Sequence, residues 1–328
     1  MMPRSTVPIL APLAVLVFTA ACGGRPVPVP APASPPPAPA LAPGTTLRLP
    51  LMRTRANGTD LHFRLAGDST ATPVVFVHGS TGNLDVWDAQ LGAFVASHRV
   101  LVYSRRYHPP NAALDDGQVY TPALHARDLA ALLEGLNLGP AHVVGSSYGA
   151  FTALALARER PELVRSLVLG EPPILPFLLR TPEGDSLRRA FESAALEPAR
   201  AAFRRGDSVE AMRRFLDGVG GTPGRFDNLA PAARAQLLRH AFEMRRELLA
   251  DPREYMPPVA CGDLGRIATP VLLLKGERSP RMFHLITDEL ARCLVTETVT
   301  TVPGAGHAIH AGNASYYNQV VLQYLASH

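Results

Sequence analysis

Short apolar runs alternating with longer helical segments constrain this chain more than any single residue does. Pro73–His78 (PVVFVH) is continuously apolar and closes on glycine, the pattern of a strand buried on both faces. Leu84–Ala96 has helical spacing, and Arg99–Ser104 (RVLVYS) reads as the next strand. Leu124–Leu136 is an amphipathic helix closed by Gly139-Pro140. A strand at Ala141–Gly145, a helix at Ala150–Arg160 and a strand at Ser166–Leu169 follow. This rhythm predicts an α/β class domain with a mostly parallel sheet and right-handed βαβ crossovers. Thr45–Arg55 and Thr59–Leu65 flank Ala56-Asn57-Gly58 and predict an antiparallel N-terminal hairpin at one edge.

After Glu171 the rhythm stops. Residues 172–258 carry no strand pattern but several Ala/Leu/Arg-rich helices, whose 14 Arg are mixed with 12 Asp and Glu in the manner of solvated faces. Strand and helix resume at Pro270–Lys275, Met282–Leu294, Glu297–Val302 and Tyr316–Ala326. The expected organisation is a core at 45–171 and 259–328, interrupted by a helical cap at 172–258.

The first 44 residues stand apart. Arg4 precedes an apolar stretch, Val7–Ala21, that ends in Thr19-Ala20-Ala21-Cys22-Gly23. A basic start, a short apolar run and small residues before a cleavage point describe a secretory signal over 1–22. About fifteen residues at ~1.5 Å each fall short of a ~30 Å hydrocarbon core. The end of the run resembles a bacterial lipobox, in which Cys22 becomes the lipidated N-terminus of an exported cell-envelope protein. Ordinary secretion, or a misassigned start, fits the same residues. Nine of the 32 prolines lie between Pro26 and Pro43, so 23–44 reads as an extended polyproline-type linker, either a spacer from a membrane surface or a plain connector. Export permits a Cys261–Cys293 disulfide, and two free buried thiols fit equally well. No Cys/His spacing points to a metal. The net charge of +4 and the lack of any long Lys/Arg run exclude a nucleic-acid partner.

Gly145-Ser146-Ser147-Tyr148-Gly149 matches G-x-S-x-G, with an apolar strand ending just before it and an Ala-rich helix beginning just after. A nucleophilic serine on a sharp strand-to-helix turn needs small flanking residues, and Gly145 and Gly149 provide them. Ser147 is therefore the candidate nucleophile. The segment resembles the α/β-hydrolase fold family, with the resemblance running from about Thr45 to the end. His78-Gly79-Ser80-Thr81-Gly82 resembles the family's oxyanion loop. The resemblance implies that the Ser80 and Tyr148 amides hold a tetrahedral oxyanion. Pro303-Gly304-Ala305-Gly306-His307 resembles its histidine loop and makes His307 the general base, with His310 as the alternative.

The acid departs from the common pattern. Most relatives place an aspartate three residues beyond a glycine after the seventh strand, and here Ser279 stands in that place. Glu171, directly after the sixth strand, is the preferred substitute; Glu277 is the alternative. The resemblance implies a serine hydrolase that cleaves an ester-type bond of a small, apolar substrate, without cofactor. Lactonase, thioesterase or C–C hydrolase chemistry would use the same residues. A catalytically idle binding module of the same fold is the reading from another class. Leu178, Phe191, Phe203, Phe215 and Phe226 are candidates for either an apolar pocket wall or the insertion's own core. Arg105-Arg106-Tyr107-His108 is read as either pocket lining or an ordinary polar loop.

Overall fold

The computed structural model of the protein describes residues 47, 49–295 and 297–328. The expected signal (1–22) and linker (23–44) lie outside the described residues. Among those described, no helix is long and apolar enough to cross a membrane.

Eight strands form one sheet: β1 (Met52–Ala56), β2 (Thr59–Ala66), β3 (Pro73–Val77), β4 (Arg99–Tyr103), β5 (Ala141–Ser146), β6 (Val164–Gly170), β7 (Val271–Gly276) and β8 (Glu297–Val302). Their spatial order is β1-β2-β4-β3-β5-β6-β7-β8. β1 and β2 pair antiparallel, β2 meets β4 antiparallel, and every pair from β4 to β8 is parallel. Asn57 and Gly58 close the β1–β2 hairpin with φ of 46° and 76°, the left-handed pair that a two-residue turn of matching twist requires. The hairpin was anticipated; its first strand is shorter than the sequence reading.

The parallel strands read as unbroken apolar runs because both faces are covered. In β3, Val75 and Val77 join one core while Val74 and Phe76 join the other, as a two-residue repeat demands. Helices α1 (Asp88–Phe94), α2 (Pro122–Gly135) and α3 (Tyr148–Glu159) divide between these faces. α2 and α3 bury Leu129, Leu133 and Leu154 with Val75, whereas α1 places Phe94 edge-on to Phe76, ring centres 5.0 Å apart. The segment before α1 forms a 3-10 turn, Leu84–Trp87, started by Asn83, whose side chain accepts from the Asp85 amide. The Thr121 hydroxyl caps α2 by accepting from Leu124 N–H at 2.9 Å.

Between β6 and β7 the chain is helical: α4 (Pro182–Phe191), α5 (Glu197–Arg204), α6 (Ser208–Gly220), α7 (Pro231–Leu238), α8 (Ala241–Leu249) and the single turn α9 (Pro252–Tyr255). A π-turn, Glu192–Leu196, joins α4 to α5 just ahead of Pro198, which has no N–H to continue the regular ladder. A further single turn, α10 (Cys261–Leu264), precedes β7, and α11 (Arg281–Cys293) follows it. A disulfide links Cys261 to Cys293 with their Cα atoms 4.7 Å apart, the first of the two pairing states the sequence left open. After β8 come the short α12 (Ile309–Gly312) and the closing α13 (Ala314–Leu325), which packs beside α1.

Candidate active site

Ser147 stands alone between β5 and α3, at φ 52° and ψ −122°, a conformation L-residues rarely adopt. The turn is that sharp because the chain reverses from strand to helix in one residue. A Cβ at Gly145 would lie 2.6 Å from the Ala150 Cα, and one at Gly149 would strike the Val77 and His78 carbonyls. Glycine at both positions is therefore a steric requirement. The Ser147 amide donates to the Gly170 carbonyl at 2.7 Å, tying the corner to the end of β6. Tyr148 is the first residue of α3, so its amide belongs to the helix's unpaired N-terminal set.

One residue beyond β6, Glu171 also takes a left-handed backbone, φ 45°, and is fully buried. Its Oε1 accepts from the Gly276 amide at 2.9 Å. Its Oε2 accepts from the Ser279 hydroxyl at 3.0 Å and from His307 Nδ1–H at 2.7 Å. A carboxylate can only accept, so it places the imidazole proton on Nδ1 and leaves the Nε2 lone pair toward Ser147 Oγ, 2.9 Å away. Phe283, from α11, stacks on the His307 ring with centres 3.8 Å apart and planes 16° from parallel. Serine, imidazole and carboxylate thus form one hydrogen-bonded chain whose imidazole is held in place on both its edge and its face.

The other candidate residues fall elsewhere. Glu277 Oε2 accepts from the Gly304 amide at 2.7 Å, steadying the loop that carries His307 without touching its ring. Arg281, close to Glu277 in sequence, pairs with Glu183 at 2.8 Å. His310 neither lines the cavity nor faces solvent: it is buried against Trp87, ring centres 4.4 Å apart, and burial brings its pKa down to about 4. Ser80 turns its hydroxyl into Glu247 Oε1 at 2.6 Å, and the Tyr255 hydroxyl donates to the same oxygen at 3.1 Å. Burial raises the Glu247 pKa. The oxyanion role expected of Ser80 therefore concerns its amide.

Arg105–His108 neither lines the Ser147 cavity nor forms an exposed polar loop; all four residues are buried. Arg105 donates from Nε to the His78 carbonyl and from Nη2 to the Gly79 carbonyl, each at 3.0 Å, while its amide donates to His78 Nε2 at 2.9 Å. One guanidinium braces the loop that leads into Ser80. Arg106 is locked to Asp128 and Asp116.

Ser147 borders a narrow cavity. Its polar lining is Ser80, Ser147, His307 and Tyr255; the remainder is Pro173, Leu175, Phe191, Phe215, Val219, Met256, Met282 and Phe283. Of the five apolar cap residues singled out in the sequence, Phe191 and Phe215 reach this cavity. Leu178, Phe203 and Phe226 are core. Phe283 and Ser279 were missed as contributors. Neither carries a motif: Ser279 meets Glu171 only when β6 and β7 lie side by side, and Phe283 meets His307 only when β7 and β8 do.

The α/β hydrolase family matches this chain over residues 74–319, and the chain belongs to it. A non-heme chloroperoxidase of Burkholderia pyrrocinia is 27% identical over 290 residues, covering 84% of this chain and 99% of that one. Among solved structures, Est816, described as an N-acyl homoserine lactone degrading enzyme, superposes with a TM-score of 0.66 at 21% identity, over 83% of this chain and 100% of its own. The carboxylesterase CesB of Bacillus subtilis superposes with a TM-score of 0.65 at 18% identity, over 86% and 93%. Those structural likenesses show the fold, and the family match supports a general hydrolase role.

Proposed function

We propose that the protein hydrolyses carboxylic esters of small apolar acyl groups through a Ser147–His307–Glu171 triad. The observation that carries this reading is the hydrogen-bonded chain from Glu171 through His307 to Ser147, ending at an apolar cavity. His307 Nε2 takes the Ser147 proton as the oxygen attacks the ester carbonyl, and the Glu171 carboxylate offsets the charge on the imidazolium. The Ser80 and Tyr148 amides receive the oxyanion. His307 returns the proton to the leaving alcohol, and a water activated by the same nitrogen then releases the acid from Ser147.

The cavity also favours a substrate class. None of its lining residues is Lys, Arg, Asp or Glu, so nothing there compensates the desolvation of a charged acyl chain. The test is a panel of p-nitrophenyl esters of rising chain length, with a lactone and a thioester alongside, for the wild type and Ser147→Ala. Ser147→Ala should lose turnover and fluorophosphonate labelling while keeping its circular dichroism. Undiminished turnover, or a preference for acyl chains ending in carboxylate, would overturn the reading.

A further inference from the structure

A second cluster of chemistry-bearing side chains lies behind the oxyanion loop. His108 follows β4, whereas His240 and Glu243 sit at the start of α8, three residues apart and so on one helix face. All three are buried, and one candidate ligand atom from each lies within 4.8 Å of the others. Glu243 Oε1 is 2.5 Å from His240 Nδ1 and 3.5 Å from His108 Nδ1. The Gly82 carbonyl oxygen is 2.8 Å from the same His108 nitrogen.

Independent observations indicate that this cluster lacks a partner. Among the described residues, none hydrogen-bonds the buried Glu243 Oε2. His125, its ring centre 6.5 Å from that of His108, is buried with both nitrogens unpaired. Two buried carboxylates, Glu243 and Glu247, lie in this region, and the Arg105 guanidinium acts on Glu247. A buried carboxylate without a counter-charge is costly.

We propose that His108, His240 and Glu243 bind a divalent ion of the zinc type, with the Gly82 carbonyl beside them as a fourth oxygen. Two imidazoles and a carboxylate without thiolate form a donor set that zinc accepts. Bond lengths of about 2.0 Å set tetrahedral ligand atoms about 3.3 Å apart, so the His240–Glu243 pair has to open slightly while His108 is already in range. His108 would bind through Nδ1, and its Nε2–H would then donate to the Tyr120 hydroxyl at 3.0 Å, fixing the ring. None of the three ligands lines the Ser147 cavity, so the ion's work is structural. It staples α8 to the loop after β4. One turn along α8, Glu247 holds the Ser80 hydroxyl, so the staple also positions the oxyanion loop.

The experiment uses the full untagged chain and needs no turnover, so its outcome is independent of the ester-hydrolase reading. The protein is stripped with a chelator, then titrated with Zn²⁺ alone and separately with Co²⁺. Expected are one tightly held equivalent of zinc after dialysis, a visible absorption band with Co²⁺ and a higher melting temperature with Zn²⁺. His240→Ala should lose all three, and Glu243→Gln should weaken zinc binding at least tenfold. His328→Ala, outside the cluster, should keep them. A folded wild type that retains no zinc and shows no Co²⁺ band overturns the proposal, even if the variants fail to fold. Equal metal retention by His240→Ala overturns it as well.

Discussion

Ser279 donates its hydroxyl to Glu171 Oε2, the same oxygen that His307 Nδ1–H reaches. In the proposed triad, the residue at the expected position of the acid instead supports an acid delivered from the neighbouring strand. The carboxylate is thereby held from three sides, by Ser279, by the Gly276 amide and by the imidazole. Removing the Ser279 hydroxyl should cost one charge-assisted bond of about 1.5 kcal/mol. Ser279→Ala should then lower kcat roughly tenfold with KM nearly unchanged, in steady-state assays on a p-nitrophenyl ester.

Glu171→Gln should be far more severe, with a fall in kcat of about 10³- to 10⁴-fold, because an amide disturbs both the imidazole's tautomer and the compensation of its charge. Glu277→Gln loosens only the Gly304 amide and should stay within about threefold of wild type, as expected for a side chain off the chain of proton transfer. If the two variants rank the other way, Glu277 is the acid.

Acid should unfold the protein partly through His310. Its folded pKa, about 4, lies below the ordinary histidine value of 6.5. Above about pH 6.5 the ring is neutral in both states and the stabilising difference is fully present. As pH falls toward 4 the unfolded chain gains a proton that the folded one refuses, which removes about 3 kcal/mol. Chemical denaturation at a series of pH values should show His310→Leu losing less stability than wild type over that window. Parallel curves would refute the assignment.

The Cys261–Cys293 bond closes a loop between the return from the helical insertion and the end of α11. Cys261→Ser/Cys293→Ser should lower unfolding free energy by about 3 kcal/mol, measured in denaturant without reductant. Because α11 also carries Phe283, the double variant should lose activity on mild warming sooner than the wild type.

We also propose that the protein is exported and held at a membrane through a lipidated Cys22. Fractionation of cells expressing the wild type and Cys22→Ser should move the variant from membrane to soluble envelope fractions. An unchanged distribution would remove the anchor.

Much of this could be read in advance. Strands such as PVVFV and RVLVY declare themselves because a doubly covered sheet leaves no polar position. Ser147 was legible because a strand, a glycine-flanked serine and a helix leave one geometry, and His307 because a glycine-rich loop follows the last strand. Glu171 was only one of two candidates. A carboxylate after β6 and another after β7 look alike in one dimension, and pairing of β6 with β7 decides which oxygen meets the ring. The polar string at Arg105–His108 was opaque for the opposite reason. Buried polar residues are satisfied by partners from distant segments, such as the His78 and Gly79 carbonyls and the Tyr120 hydroxyl. Residue type carries no trace of such partners.

The bond from the Ser147 amide to the Gly170 carbonyl has one more consequence. It ties the two left-handed corners together, so the proposed nucleophile and acid share a single frame while His307 arrives separately on a loop. Drift in the sheet during evolution displaces Ser147 and Glu171 in concert and leaves their spacing intact. In the proposed triad the loop between Pro303 and His307 is therefore the part placed independently of the two corners.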